Sequence, residues 1–173
     1  MGNTFPGFEN VVTSIGAMHA RIHQGLLYSS TIARPALAAA GVLDILVVTG
    51  SVPPHLRHQL AAGATGTVLL YEDTTVSANG VAELVQNKNR LSGRVNETTV
   101  FSGPTVTGVG TLLGNGVVPG GKTGQASGGI REGFEEWILK PASLYLIRFT
   151  NNDAQAQPVN VELDWYEPFG KLR

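Results

Sequence analysis

Two seven-residue phrases decide the fold class of this chain: Thr-Thr-Val-Ser-Ala-Asn-Gly at residues 74–80 and Pro-Thr-Val-Thr-Gly-Val-Gly at residues 104–110. Each phrase lies between β-branched or apolar runs and ends on a glycine, which is the pattern of a strand that ends in a turn. Many short strands separated by Gly, Pro and Asn are typical of an all-β sandwich or barrel.

The segments around these phrases extend the strand pattern. Val42–Thr49 is apolar on nearly both faces, which predicts a central strand. Val159–Tyr166 alternates apolar and polar residues, so we expect a strand with Trp165 in the core and Glu162 facing water. We also expect Leu144–Thr150 to pair antiparallel with this last strand across a short Asn-rich turn.

Other apolar or Thr-rich runs are predicted as strands: Leu26–Ala33, His55–Ala61, Thr67–Glu72, Val95–Ser102 and Thr111–Val118. Residues 36–40 allow one helical turn, and residues 81–94 fit a short helix or a loop. The chain should therefore contain about eight to ten strands and little helix.

Residues 1–25 are predicted to form an extended arm, and residues 26–173 one β-sandwich domain. Glu9 is the only charged residue among the first twenty. An arm with so little charge should dock on its own fold or on a neighbouring chain, because soluble proteins avoid large exposed apolar patches. The arm residues expected to contact other chains are Phe5, Phe8, Val11, Val12 and Ile15.

Residues 114–133 contain eight glycines and are predicted as a glycine-rich loop. A dinucleotide-binding loop would need a following helix and a later acidic residue, and Lys122-Thr123 lacks the spaced glycine of a phosphate-binding loop. We expect instead a long loop that neighbouring chains order in an assembly. Lys122 and Arg131 are its expected assembly contacts.

The composition excludes several classes of function. No cysteine is present, so neither disulfides nor thiolate metal sites exist. With a net charge of −1, the chain does not have the excess of Lys and Arg that nucleic-acid binding requires. The longest apolar run, Ala36–Leu43, is too short to span a membrane, and the first basic residue is Arg21, unlike a secretory signal. We expect no nucleic-acid or membrane partner and synthesis in a cytoplasm.

Charged residues make up 14% of the chain, against roughly 25% in average soluble domains. In one interpretation, Thr, Ser, Asn and Gln supply the polar surface of the sheets. In the other, neighbouring chains cover much of the surface in an assembly, since mixed charge is what keeps free surfaces apart. Composition leaves both interpretations open.

Two histidine pairs have spacings that bear on metal binding. His19 and His23 lie four residues apart, which on a helix would place both on one face, as in zinc sites. Glycines flank this pair, no helical period supports a helix, and no third ligand is evident. His55 and His58 lie three apart, on opposite faces of a strand. We assign no metal site and interpret all four as surface or packed side chains.

The acidic residues Glu132, Glu135 and Glu136 beside Arg131 could suggest the paired carboxylates of glycoside cleavage. They are adjacent in sequence, however, and no second carboxylate site stands out, so a solvated charge cluster is favoured. Ser, His and Asp are all present, but no nucleophile elbow occurs. We therefore assign no catalytic residue and no cofactor, and the sequence does not predict an enzyme.

Five longer phrases resemble a family of tailed-bacteriophage virion proteins: His23–Gly25, Leu43–Gly50, Leu70–Ser77, Gly133–Pro141 and Tyr145–Asn151, together with Val-Pro-Gly-Gly at residues 118–121. Residues 1–20 are not part of this similarity. The resemblance implies a structural protein of the head, a decoration or cement protein with a jelly-roll-like antiparallel β-sandwich on the outer head surface. Its partner would be the major capsid protein, and it would form a homotrimer that clamps neighbouring capsid subunits.

A second hypothesis is a receptor- or carbohydrate-binding β-sandwich of a head fibre or tail. The aromatic residues Trp137, Trp165, Tyr145 and Tyr166 could stack on sugar rings, although strand spacing favours core and edge packing. An exposed Trp137 or Tyr166 would favour this hypothesis. An enzyme such as a polysaccharide hydrolase would need a cleft with two facing carboxylates.

Overall fold

The structure is a computed structural model and describes residues 16–119, 129–132 and 136–168. These residues contain one helix, α1 (Ala17–His23), and fourteen strands. The strands are β1 (Leu27–Leu37), β2 (Val42–Val48), β3 (His55–Ala62), β4 (Gly66–Glu72), β5 (Thr75–Ala78), β6 (Val81–Ala82), β7 (Gln86–Asn87), β8 (Thr99–Ser102), β9 (Thr105–Gly108), β10 (Thr111–Val118), β11 (Gly129–Glu132), β12 (Trp137–Ile138), β13 (Leu144–Asn151) and β14 (Gln157–Tyr166).

The long strands pair as a nested series of antiparallel hairpins. β1 pairs with β14, β2 with β13, β3 with β11 and β4 with β10. The series folds over on itself through the pairings of β3 with β14 and of β4 with β13. The result is two sheets, ordered β11-β3-β14-β1-β7 and β10-β4-β13-β2-β8-β6, which is jelly-roll topology. The predicted all-β, jelly-roll-like antiparallel sandwich is confirmed.

The hydrophobic core lies between the two sheets. Alternate residues of β14 are buried there, ending with Trp165, which is 0% exposed. The carboxyl group of Glu162 points to the opposite face, where its side chain is 39% exposed. β2 lies between β13 and β8, as its two apolar faces predicted. The predicted placements of Trp165, Glu162 and this central strand are confirmed.

The predicted pairing of Leu144–Thr150 with Val159–Tyr166 is wrong. β13 belongs to one sheet and β14 to the other, so the segment between them is an arch rather than a hairpin. The buried amide of Asn151 holds this arch, because its Nδ2 donates to the Gln155 carbonyl at 2.9 Å and its Oδ1 accepts from the Asp153 backbone N–H at 2.9 Å. Each strand has its own apolar face, and the arch lets both faces meet the same core from opposite sides.

No helix is predicted for the segment that forms α1, and this prediction is wrong. The helix packs against the beginning of β1, and the guanidinium of Arg21 lies 5.0 Å from the ring centroid of Tyr166. A seven-residue helix is too short to be stable alone, so tertiary contacts stabilise it. The described part of the predicted arm, residues 16–25, is thus in contact with the sandwich.

Several strand boundaries also differ from the predictions. β1 continues through Pro35 to Leu37, so the helical turn predicted there is wrong, and a bulge beginning at Arg34 accommodates the proline in the ladder. Residues 81–94 contain the two-residue strands β6 and β7 and no helix. The strand predicted over residues 95–102 is confined to β8.

Two core tyrosines lead us to expect a loss of stability in alkali. Burial and the nearby charge of Glu167 raise the pKa of Tyr28 to about 12, and burial also raises the pKa of Tyr145 to about 12. Unfolded tyrosine ionises near pH 10, so between about pH 10 and 12 the unfolded chain binds fewer protons than the folded one. The contribution of these two tyrosines to the free energy of unfolding should therefore be constant below this range and should fall as pH rises through it.

Urea unfolding at a series of pH values on either side of 10 measures this fall. Tyr28→Phe removes one of the two groups, so the variant should lose less stability than the wild type over the same pH interval. An equal loss in both proteins would contradict the assignment to Tyr28.

Candidate interaction surface

The two phrases at residues 74–80 and 104–110 form an antiparallel pair of strands, β5 and β9, that we call the ribbon. β5 links β4 to β6, and β9 links β8 to β10. Because β4 and β10 lie at one edge of the second sheet while β8 and β6 lie at the other, the ribbon crosses this sheet. The strand pattern of each phrase is confirmed, but the sequence did not reveal that they pair with each other.

A row of apolar side chains on the face that the ribbon crosses is buried or half-buried, although it points away from the core between the sheets. Leu46 lies opposite Leu146 in the register, and Phe101 extends the row on β8. Leu46 and Leu146 are both 0% exposed. The chain segment that crosses this face is the ribbon, whose directly paired Val76 and Val106 are half-buried. The ribbon therefore closes a second, smaller apolar layer on the outside of the sandwich.

Glycines fix both ends of the ribbon. Gly80 and Gly110 have φ angles of 90° and 84°, a region that favours glycine. A Cβ atom at Gly80 would collide with the carbonyl oxygen of Ser102, and one at Gly110 would collide with that of Glu72. Thr74 adds a hydrogen bond from its Oγ1 to the Val109 carbonyl, at 2.7 Å. The ribbon is thus anchored at the places where it leaves the sheet.

The outward side of the ribbon has hydroxyl groups and no charges. Thr75, Ser77, Thr105 and Thr107 alternate with the valines and are exposed, and we call these four residues the ribbon face. The hydroxyl groups of Thr107 and Thr75 are 3.0 Å apart across the pair. No charged residue occurs in residues 74–82 or 98–121 of the sequence, which include both strands of the ribbon.

Exposed apolar side chains flank the ribbon face on the same side of the sheet. Leu112 and Val117 on β10 lie opposite Tyr71 and Thr67, so they share the outer face of the second sheet. Leu112 is 50% exposed and Val117 is 64% exposed. This face also carries the partly exposed ion pair of Arg148 and Asp44, whose Nε and Oδ1 atoms lie 2.7 Å apart. The ribbon face itself is uncharged and hydroxyl-rich and has apolar neighbours, a composition suited to burial against another protein.

A second candidate region lies at one end of the first sheet, where the rings of His55 and Tyr166 stack with centroids 4.3 Å apart. The Glu136 carboxylate lies 2.7 Å from His55 Nδ1 and accepts from the Tyr166 hydroxyl at 2.8 Å. Partial burial opposes ionisation of Glu136, but these hydrogen bonds outweigh it and lower the pKa of its carboxyl group. Burial and the Glu136 charge raise the pKa of Tyr166. The three groups form a polar cluster that fixes β12 against β3 and β14.

A cleft of about 330 Å³ opens between the sheets beside β10 and β12. Its described lining is His58, Val68, Leu70, Leu113, Gly114, Asn115 and Trp137. His55 and His58 lie on opposite faces of β3, as predicted from their spacing. His55 belongs to the polar cluster on the outer face of the sheet, and His58 lines the cleft. The two facing carboxylates that a polysaccharide hydrolase would need are not among the described lining residues.

The residues predicted as assembly contacts fall mostly outside the described part of the chain. Phe5, Phe8, Val11, Val12, Ile15 and Lys122 all lie outside it. The backbone of Arg131 belongs to β11, opposite Leu60. The glycine-rich loop is shorter than the predicted residues 114–133, because residues 114–118 and 129–132 are strands, while residues 120–128 lie outside the description.

The described residues contain no group of three or more His, Asp or Glu side chains placed to hold a metal ion. Their single helix is too short to cross a membrane. Neither a protein-family model nor a curated protein matches this chain. A jelly roll alone does not specify a function, because unrelated functions occur on the same fold.

Sequence reasoning missed the ribbon face as a site. The available signal was the combination of two similar Thr- and Val-containing phrases with the absence of charge around both of them. Alternation of exposed Thr or Ser with half-buried Val is the expected pattern of a ribbon packed on one side only. What the sequence did not indicate is that the two phrases, about thirty residues apart, lie side by side.

Proposed function

We propose that this chain is a structural protein of a tailed-bacteriophage virion, a decoration protein that binds the outer head and bridges neighbouring major capsid subunits as a homotrimer. The observation that carries the proposal is the uncharged, hydroxyl-rich ribbon face, with the exposed side chains of Leu112 and Val117 on the same side of the sheet. It supports the interpretation that neighbouring chains cover much of this protein. The sequence resemblance implies that those chains are major capsid subunits.

The physical properties of the ribbon face suit this role. A standard protein interface buries about 1,600 Å² in total, and its centre is depleted of charge. Burying hydroxyls and aliphatic groups costs less desolvation free energy than burying Lys or Glu. A ribbon held at both ends loses little conformational entropy on docking. Three copies in one trimer would turn weak single contacts into firm attachment.

A second candidate function is a receptor- or carbohydrate-binding domain of a head fibre or tail, and the cleft is the observation that favours it. Trp137 lies half-buried in the cleft wall beside Asn115, so an aromatic ring and an amide border the same space. Jelly rolls serve both as capsid and as lectin domains. Quantitative mass spectrometry of purified virions separates the two: hundreds of copies indicate the shell, a few to dozens indicate a tail or fibre, and absence from particles overturns both.

A single lysine on the ribbon face tests the docking surface. Thr105→Lys places a charge within the proposed interface, and the native Thr105 hydroxyl takes part in none of the described hydrogen bonds. Burying an unpaired charge costs more than 1.4 kcal/mol, so affinity for heads lacking this protein should fall at least about tenfold. Co-sedimentation with such heads measures it.

Thr31→Lys is the matched control, because Thr31 is an exposed strand threonine on the outer face of the other sheet. This variant should bind heads like the wild type. Equal binding by Thr105→Lys and the wild type would exclude the ribbon face as the docking surface, even if the protein proved to be a decoration protein.

A further inference from the structure

The histidine pair at the beginning of the described chain has a geometry that the sequence did not predict. His19 and His23 both lie on α1, one turn apart, and their rings meet edge to face with centroids 4.6 Å apart. Their Nε2 atoms converge to 2.9 Å. Both side chains are exposed, so water reaches the point between the two nitrogens.

We propose that His19 and His23 form a surface chelate for a divalent transition-metal ion of the Ni²⁺ or Cu²⁺ type. Neutral imidazole nitrogen is a good ligand for these ions. Two residues four positions apart on a helix present their side chains on one face, which is how helical metal sites use this spacing. The remaining coordination positions would be filled by water, because the described residues supply no third His, Asp or Glu ligand.

The two nitrogens are hydrogen-bonded to each other, and their separation is close to the span of two ligands on one metal ion. With metal–nitrogen bonds of about 2.0–2.1 Å, two ligands at a right angle lie about 2.9 Å apart, whereas two ligands at a tetrahedral angle lie about 3.3 Å apart. The observed 2.9 Å therefore matches the right angle. Right angles between ligands belong to the square-planar or tetragonal coordination of Cu²⁺ and Ni²⁺, not to tetrahedral zinc.

Metal binding would also stabilise the helix. α1 has seven residues, begins at Gly16 without a side-chain cap and has no acidic residue in its first turn. Forming the first turn of a short helix costs much conformational entropy. A chelate that joins residues one turn apart therefore favours the helical state. Because α1 directly follows residues 1–15, the ion would hold the point at which this segment joins the sandwich.

Isothermal titration of the full chain with NiCl₂ tests the proposal. We expect one Ni²⁺ per chain. His19→Ala and His23→Ala should each weaken binding at least about tenfold, since loss of even an outer-shell partner of a metal site costs about 10–100-fold. A combined variant, His23→Gln with Gln24→His, keeps all four histidines of the chain but moves the pair to a spacing of five. It should lose binding like the alanine variants.

Proteolysis supplies a second measurement. Ni²⁺ should slow tryptic cleavage after Arg21 in the wild type, because a firmer helix is a poorer substrate, and should not slow it in the spacing variant. The variants change exposed side chains, so their thermal unfolding should match that of the wild type. The proposal is overturned if Ni²⁺ does not bind, or if the spacing variant binds it as tightly as the wild type.

Discussion

Replacing Trp165 with alanine should lower the free energy of unfolding by about 3–5 kcal/mol, the usual cost of removing a large aromatic side chain from a core. The indole is 0% exposed and its centroid lies 6.1 Å from that of the Tyr28 ring. Leu56 lies opposite it on β3. The cavity left by the indole would therefore open in the middle of the first sheet, where neighbouring strands cannot easily collapse into it.

Urea unfolding followed by far-UV circular dichroism measures this loss, since fluorescence would change with the number of tryptophans. Asn160→Ala on the same strand is the control. Asn160 is exposed, so its removal should change stability by no more than about 0.5 kcal/mol. A loss below about 1 kcal/mol for Trp165→Ala would show that the ring is not packed in the core.

Glu167→Ala should cost about 3 kcal/mol or more, because the substitution removes a buried acceptor and leaves its donors unpaired. Glu167 is 0% exposed. Its carboxylate accepts from the backbone N–H of Glu97 at 2.9 Å and of Thr98 at 2.9 Å, and from Trp165 Nε1 at 3.2 Å. It therefore ties the segment before β8 to the end of β14.

Glu167→Gln keeps the size and shape of this side chain but changes its hydrogen-bonding groups. The amide keeps one acceptor oxygen but turns an NH₂ group toward donors, so the loss should be smaller than for alanine and still exceed about 1 kcal/mol. Glu162→Ala is the matched control, because Glu162 is a partly exposed acid on β14, and its Oε1 lies 3.6 Å from Lys88 Nζ. Its loss should be below about 1 kcal/mol. Similar losses at Glu162 and Glu167 would contradict the role given to Glu167.

Because Trp165 and Glu167 share a hydrogen bond, their effects should not add. In the double variant Trp165→Ala with Glu167→Ala the indole donor is absent, so the unpaired Nε1 that Glu167→Ala alone leaves behind does not arise. The combined loss should be smaller than the sum of the two single losses. The difference between the two measures the hydrogen bond that links the core to the segment at residues 94–98.

Function and fold are connected through the ribbon. The ribbon is an insertion at the tip of the nested hairpins, between β4 and β10, and the jelly roll can form without requiring any particular side chain on its outer side. Its Thr and Ser residues are therefore available for the proposed docking, while Val76 and Val106 are half-buried on its other side. This division is common in β-proteins, where loops and ribbons carry function on a rigid scaffold.

The sequence by itself determined the local features. Alternation in Val159–Tyr166 predicted which face of β14 is buried, and two apolar faces in Val42–Thr49 predicted a central strand. Gly80 and Gly110 marked the turns that need positive φ angles. These properties depend on neighbouring residues and on the period of the backbone, so a single sequence records them.

Only the tertiary structure decided which elements meet. It placed β13 and β14 in different sheets, joined β5 to β9, stabilised α1 and brought His19 Nε2 to His23 Nε2. Strand partners are chosen by non-local contacts: the free energy of burying an apolar face must exceed the entropy of closing the intervening loop. Several partners can satisfy the same alternating pattern, because alternation specifies a face and not a neighbour. The pairing is therefore a property of the whole packed core, which no local stretch of sequence contains.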